Sequence, residues 1–165
     1  MNQLFEGEKV VLKELSEDYI QHYLNALSQK VCTQLAIKHH DDERWYLNQQ
    51  LQKVKEGTTF FMCIFKKESE QLIGAVEIRN PSYRSQLYNW LHEDYWGKGY
   101  WQDAFRLAST AYFKTHPQET TIKARVDIIN TRSYYALRKC GFNDLRISEG
   151  FRGKQHELIF YNRIT

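Results

Sequence analysis

The chain has 165 residues and a net charge of +3, from 23 basic and 20 acidic side chains; it is 42% hydrophobic and 15% aromatic. That length suits one domain (1–165), that composition supplies a packed core and excludes a disordered chain, and so small a charge gives no electrostatic argument for nucleic acid. No apolar run is long enough to span a bilayer and MNQLFEGEKV lacks the apolar stretch of a signal peptide, so no membrane association is expected and the cytoplasm is the default location.

Val10, Leu12 and Leu15 mark an extended opening segment. Ser16 is placed to cap a helix running through Leu27. Asp41 or Asp42 is placed to cap a second helix, in which Leu47, Leu51 and Val54 recur at helical spacing and which Gly57 ends. Phe60 to Phe65 is apolar on both faces, as a central strand requires. Lys66 to Glu70 is a charged turn. Leu72 to Ile78 is the next strand, where Gly74 signals a close backbone approach or a bulge. Asn80-Pro81-Ser82 reads as a turn. In the strand Leu87 to His92, Leu87, Asn89 and Leu91 share one face, and Tyr88, Trp90 and His92 the other.

After Gly97-Lys98-Gly99 comes a strong helical pattern. Tyr100, Ala104, Ala108 and Ala111 form a stripe beside Trp101, Phe105 and Tyr112, and Pro117 stops the run. Ile122, Ala124 and Val126 alternate as a strand. Asn130 precedes a short helix that carries Ser133, Leu137 and Cys140 on one side and ends at Gly141. Phe142 to the end offers two strands joined near Gly150 to Gly153. The expected architecture is a single α/β (α+β) domain, with a mixed, mostly antiparallel sheet of about seven strands flanked by about four helices. The cysteines Cys32, Cys63 and Cys140 are odd in number and widely spaced. They form neither a disulfide framework nor a metal-ligand set, and no Cys or His lies at ligand spacing from His39 and His40, so no metal is expected.

Two segments carry chemistry. Two glycines at a strand-to-helix turn let the backbone approach a ligand, and the following helix start presents unpaired N–H groups and a positive dipole end. This combination suits a pyrophosphate. A dinucleotide fingerprint is excluded because Gln102 stands where its third glycine belongs, and a P-loop is excluded because Tyr100 follows Gly99. In the second segment Asn130 is placed as an N-cap, and Ser133 lies one turn on, where its hydroxyl faces either a ligand or backbone.

The pair LHEDYWGKGYWQDAF and NTRSYYALRKCGF resembles the GNAT superfamily of N-acetyltransferases, and within it the RimJ/RimL-like branch. EKVVLKELSEDYI resembles that branch's opening strand and first helix, and QLIGAVEIRN its third strand. The resemblance implies a GNAT-like fold, acetyl-CoA as the donor and CoA as a product. Gly97 and Gly99 match the pyrophosphate loop; Asp94 departs from its Arg/Gln position, and Lys98 is the alternative source of positive charge. Leu91, His92, Trp96, Gly97, Lys98, Gly99, Tyr100, Trp101, Asn130 and Ser133 are the implied cofactor-binding residues. The resemblance also implies that the strand ending at Leu91 and His92 pairs with the pantetheine arm. Either backbone N–H is then a candidate oxyanion donor.

Leu137 stands where many GNAT enzymes carry an acid tyrosine, which leaves Ser133 as the implied acid, ahead of Tyr134. His92 is the implied base, with Glu93 beside it at the strand end and Glu77 on one face of the preceding strand. Trp90, Trp45, Tyr46, His39, His40 and Phe151 are acceptor-side candidates by location. The acceptor is expected to be a protein N-terminal amine. A small amine (aminoglycoside, polyamine or amino-acid derivative) stays open, as do a non-catalytic acyl-CoA sensor and a homodimeric assembly.

Overall fold

The structure, a computed structural model, describes residues 3–79 and 86–163. The turn expected at Asn80-Pro81-Ser82 lies outside them. Its strands are β1 (Leu4–Glu6), β2 (Val10–Glu14), β3 (Thr59–Lys66), β4 (Leu72–Arg79), β5 (Gln86–Leu91), β6 (Thr121–Asp127), β7 (Asn143–Gly150) and β8 (Gly153–Tyr161). Its helices are α1 (Ile20–Ala26), α2 (Gln29–Leu35), α3 (His40–Lys55), α4 (Tyr100–Thr115) and α5 (Thr131–Lys139). All strands join one sheet in the order β1-β2-β3-β4-β5-β6-β8-β7. The sheet has eight strands rather than about seven, because the short, largely exposed β1 shows no alternation in sequence.

Helix α2 is likewise additional to the expected set. It has only seven residues, opens on a Ser28 side-chain cap and stops at Ala36 in a left-handed conformation. The segment after Ser16 is not one helix. Ser16 caps a single 3-10 turn, Glu17–Tyr19, and the α-helix starts at Ile20. The N-cap of α3 is His39; Asp41 and Asp42 lie inside its first turn, where their charges face the positive end of the helix dipole.

Alternation on the central strands builds two cores. Phe60, Met62 and Ile64 pack with α4 and α5 on one face, while Phe61, Cys63 and Phe65 pack with α1, α2 and α3 on the other. In α4 the small Ala104, Ala108 and Ala111 bring the helix close to the sheet, and Trp101, Phe105 and Tyr112 fill the space beside them. At Gly74 a Cβ would lie 2.4 Å from the Trp90 carbonyl oxygen and 3.2 Å from Leu91 Cα. The register shift of β3 between Ile64 and Phe65 lies opposite the same glycine, so both readings of Gly74 hold.

Asp103 ties the front of α4 to the opening of β2. Its carboxylate accepts from the backbone N–H of Lys9 at 2.9 Å and of Val10 at 3.2 Å, and from Arg106 at 2.8 Å. Burial opposes the charge on Asp103, but these donors outweigh it and hold the carboxyl below its usual range. Such a group stabilises the fold above the unfolded pKa of about 3.9 and loses that contribution as pH falls through the lower folded pKa. Asp103→Ala should therefore cost about 1–3 kcal/mol at pH 7, with the difference shrinking in acid. Denaturant melts of both proteins at pH 7 and pH 3 check this; equal stability at pH 7 refutes it.

Candidate active site

Strands β5 and β6 run parallel but share only one registered pair, Gln86 with Lys123. Beyond it they splay. The remainder of β6 stays paired with β8, and β5 stays paired with β4. The His92 N–H donates to the Ile73 carbonyl of β4 at 2.8 Å. Because backbone groups alternate along a strand, the N–H and C=O of Leu91 point the other way, into the gap. The Leu91 carbonyl accepts from the Trp96 indole at 2.7 Å, a bond that holds the loop over the gap. Of the two backbone donors expected for an oxyanion, the His92 N–H is thus occupied by the sheet, and the Leu91 N–H faces the cleft.

A cleft of about 270 Å3 fills this splay. Its walls include Leu91, Trp96, Gly97, Gly99 and Trp101 from the loop and α4, and Asn130, Ser133 and Leu137 from α5. Gly97 and Gly99 have φ of +70° and +86°, a region that L side chains rarely adopt. Gly99 is the N-cap of α4 and supplies no side-chain acceptor, so the first-turn N–H groups of a sixteen-residue helix point at the cleft mouth without a capping side chain. Arg132 adds positive charge. Its guanidinium lies 3.4 Å from the centre of the Trp96 ring and bonds Gln34 at 3.3 Å; among the described residues it has no carboxylate partner. Uncapped N–H groups, glycines without Cβ and an arginine lacking a counter-ion form a site shaped for a phosphate-bearing ligand.

Residues 9–143 match the family model of the acetyltransferase (GNAT) domain. The chain belongs to the GNAT acetyltransferase family. A search of curated protein sequences returned no match. Among solved structures, the GNAT fold of this chain is similar to that of the ribosomal-protein-S5-alanine acetyltransferase from Vibrio fischeri, at 17% identity over 98% of each chain with a TM-score of 0.80. It is also similar to RimL, a ribosomal L7/L12 alpha-N-protein acetyltransferase, at 12% identity over 98% of this chain and 96% of that one, with a TM-score of 0.82. A third likeness is the microcin C7 self-immunity acetyltransferase MccE in complex with acetyl-CoA and AMP, at 15% identity over 94% and 93% of the chains, with a TM-score of 0.76.

Within this GNAT cleft the structure brings together Leu91, Trp96, Gly97, Gly99, Trp101, Asn130 and Ser133. It does not bring in His92, Lys98 or Tyr100. The His92 ring Nδ1 accepts from the Asp94 N–H at 3.1 Å, capping the 3-10 turn Glu93–Tyr95, which commits that nitrogen to structure. The Lys98 ammonium bonds the Asp94 carbonyl at 2.8 Å and so closes its own loop. Tyr100 packs edge-on against Tyr95, with Lys9 above its ring. Glu93 accepts from Ser28 at 2.5 Å. Burial opposes its charge, but the Ser28 bond, its own backbone N–H and the nearby His92 and Lys30 lower its pKa, and the Ser28 bond tethers α2 to the loop.

Asn130 caps α5 as expected, its Oδ1 accepting from the Ser133 N–H at 3.3 Å. The Tyr134 hydroxyl points away from the cleft to both oxygens of Asp144, each at 2.9 Å, with its ring stacked on His156.

Two further cavities meet the cleft. One, of about 160 Å3, lies on the α1–α3 face and is walled by Tyr23, Glu43, Tyr46, Glu77, Arg79 and Trp90 among others. The other, an open groove of about 380 Å3, runs past Arg125, Asp127, Phe151 and Arg152. Leu35 and Asn89 line all three. Tyr46, Trp90 and Phe151 thus reach cavities as their locations suggested. Trp45 lines none of the three; it is exposed on α3, whose N-cap and first residue are His39 and His40. Sequence reasoning missed Gln34, Leu35, Glu43, Asn89 and Arg132. Asn89 did carry a signal, as a polar residue on the same strand face as Leu87 and Leu91.

Proposed function

We propose that this GNAT domain transfers the acetyl group of acetyl-CoA to the α-amino group of a protein N-terminus. The observation that carries the reading is the meeting of three cavities at Leu35 and Asn89. The cleft with the glycine loop suits the donor. The small cavity has the least room of the three and suits the end of an acceptor. The open groove leaves room for the chain that follows. The Vibrio fischeri and RimL neighbours, a ribosomal-protein-S5-alanine acetyltransferase and a ribosomal L7/L12 alpha-N-protein acetyltransferase, support the same acceptor class.

Acetyl-CoA supplies the acetyl thioester. Gly97, Gly99 and the first turn of α4 would hold its pyrophosphate, with Arg132 as counter-charge. The Leu91 N–H stabilises the oxygen of the reacting carbonyl. Ser133 hands a proton to the departing thiolate. The acetyl group passes directly to the amine, because none of Cys32, Cys63 and Cys140 lines the cleft, and burial raises all three thiols.

The test is CoA-thiol release from acetyl-CoA with tetrapeptides that begin with free Gly, Ala, Ser or Met, against spermidine and kanamycin. Turnover is expected with the peptides, falling as the first side chain grows, and none with N-terminally blocked peptides. Turnover of the small amines alone would move the acceptor to that class, and no turnover with any acceptor would overturn the reading.

A further inference from the structure

The small cavity holds two Glu–Tyr pairs that differ in one respect. The Glu77 carboxylate, 4% exposed, accepts from Tyr46 at 2.5 Å and from Arg79 Nε at 3.0 Å, so a guanidinium neutralises it. Arg79 is held in turn over the Tyr88 ring at 3.7 Å. Glu43 has the Tyr23 hydroxyl at 3.4 Å, and no cation lies within ion-pair distance of it among the described residues. The neighbouring Arg44 turns to Gln21 instead.

Tyr23 is itself aimed. Its oxygen accepts from the Trp90 indole at 2.8 Å, which leaves its single proton for Glu43. The cavity therefore contains two carboxylates, one guanidinium and space for one more cation, on the opposite face of β5 from α4 and α5.

We propose that Glu43 receives the terminal ammonium of the acceptor and takes its proton, with Tyr23 and Trp90 as positioning residues. The assignment rests on the acetyltransferase reading above and names the base of that reaction. The ammonium gives one proton to the Glu43 carboxylate. The neutral nitrogen then forms the N–C bond to the acetyl carbon as the C–S bond breaks. The nitrogen's second proton passes through Ser133 to the departing thiolate, and the proton on Glu43 leaves to solvent. The net release is one proton.

The groups facing Glu43 are Tyr23 from α1, Cys32 from α2, Tyr46 from its own helix, and Glu77 and Arg79 from β4. Burial is the largest influence on Glu43 and raises its carboxyl above the usual range; the Tyr23 hydrogen bond opposes this, and the Glu77 charge adds to it. A raised carboxyl is a better proton acceptor near neutrality.

The experiment measures kcat/KM against pH for wild type, Glu43→Gln and Tyr23→Phe, with acetyl-CoA and an Ala-initiated tetrapeptide. Glu43→Gln should lose about 100-fold or more at pH 7. Its rate should climb with pH toward that of wild type, because an α-amine with a pKa of about 8 then deprotonates unaided. Affinity for acetyl-CoA should not change. The melting temperature should not fall, since glutamine keeps an acceptor oxygen for Tyr23 and the half-buried charge is removed. Tyr23→Phe removes a hydrogen bond to the charged carboxylate, so its acid limb should move to higher pH. A Glu43→Gln enzyme with wild-type kcat/KM, or with a constant deficit at every pH, overturns the assignment while leaving the acetyltransferase reading intact. A wild type that acetylates no amine overturns both.

Discussion

Replacing Gly99 with valine should abolish acetyl-CoA binding, with affinity lowered by about 100-fold or more. Three physical effects combine at this position. The backbone stands at φ +86°, where a β-branched residue is an outlier and strain of about 1–3 kcal/mol is expected. A Cβ there would lie 3.3 Å from the Lys9 side chain, which must give way by a few tenths of an ångström. The residue is also the N-cap of α4, and the branched side chain would stand where a phosphate must approach the first-turn N–H groups.

A matched control separates lost binding from lost stability. Gly57, after α3, has φ +73° with nothing within 4 Å of a built Cβ. Gly57→Val should carry comparable backbone strain and keep wild-type affinity. Calorimetric titration gives the affinities. Thermal melts add a second readout, since a ligand at a hundred times its Kd stabilises the fold by about 2.7 kcal/mol, a shift that Gly99→Val should not show. Unchanged affinity in Gly99→Val would remove the glycine loop from the binding site.

Ser133→Ala should lower kcat by about 100-fold while acetyl-CoA affinity stays within about twofold. The substitution is clean because Ser133 contributes its backbone N–H, not its hydroxyl, to the cap of α5. The Asn130 bond therefore survives and the helix should hold its position. Asn130→Ala makes the contrast, since it removes the capping oxygen at about 1 kcal/mol and disturbs the cleft wall itself. Single-turnover acetyl transfer to an Ala-initiated peptide isolates the chemical step. An unchanged rate would free Ser133 of the proton-donating role, and Tyr135, which also lines the cleft, would be the next hydroxyl to examine.

The sequence alone determined the elements whose signals are local. Alternation and helical spacing placed the central strands and α4; Ser16 and Asn130 announced their caps; Gly74 and the Gly97–Gly99 pair announced backbone constraints that short-range sterics impose. By itself the glycine loop signalled only an anion-binding turn; its resemblance, together with the α5 segment, to the GNAT family is what implied a cofactor cleft. Tertiary structure decided what those signals could not. His92, Lys98 and Glu93 carry suitable chemistry, but His92 Nδ1 and the Lys98 ammonium bond within the turn between β5 and α4, and Glu93 bonds Ser28 at the start of α2, a competition that residue type does not reveal. Helix α2 is seven residues long, too short for a periodic pattern, yet it brings Gln34 and Leu35 to the cleft. Glu43 looks like any acidic residue in the first turn of a helix. Only the packing of α1 over β4 and of α3 over β3 half-buries it beside Tyr23 and Glu77, with no cation among the described residues at ion-pair distance, because charge pairing is set by neighbours in space and not in sequence.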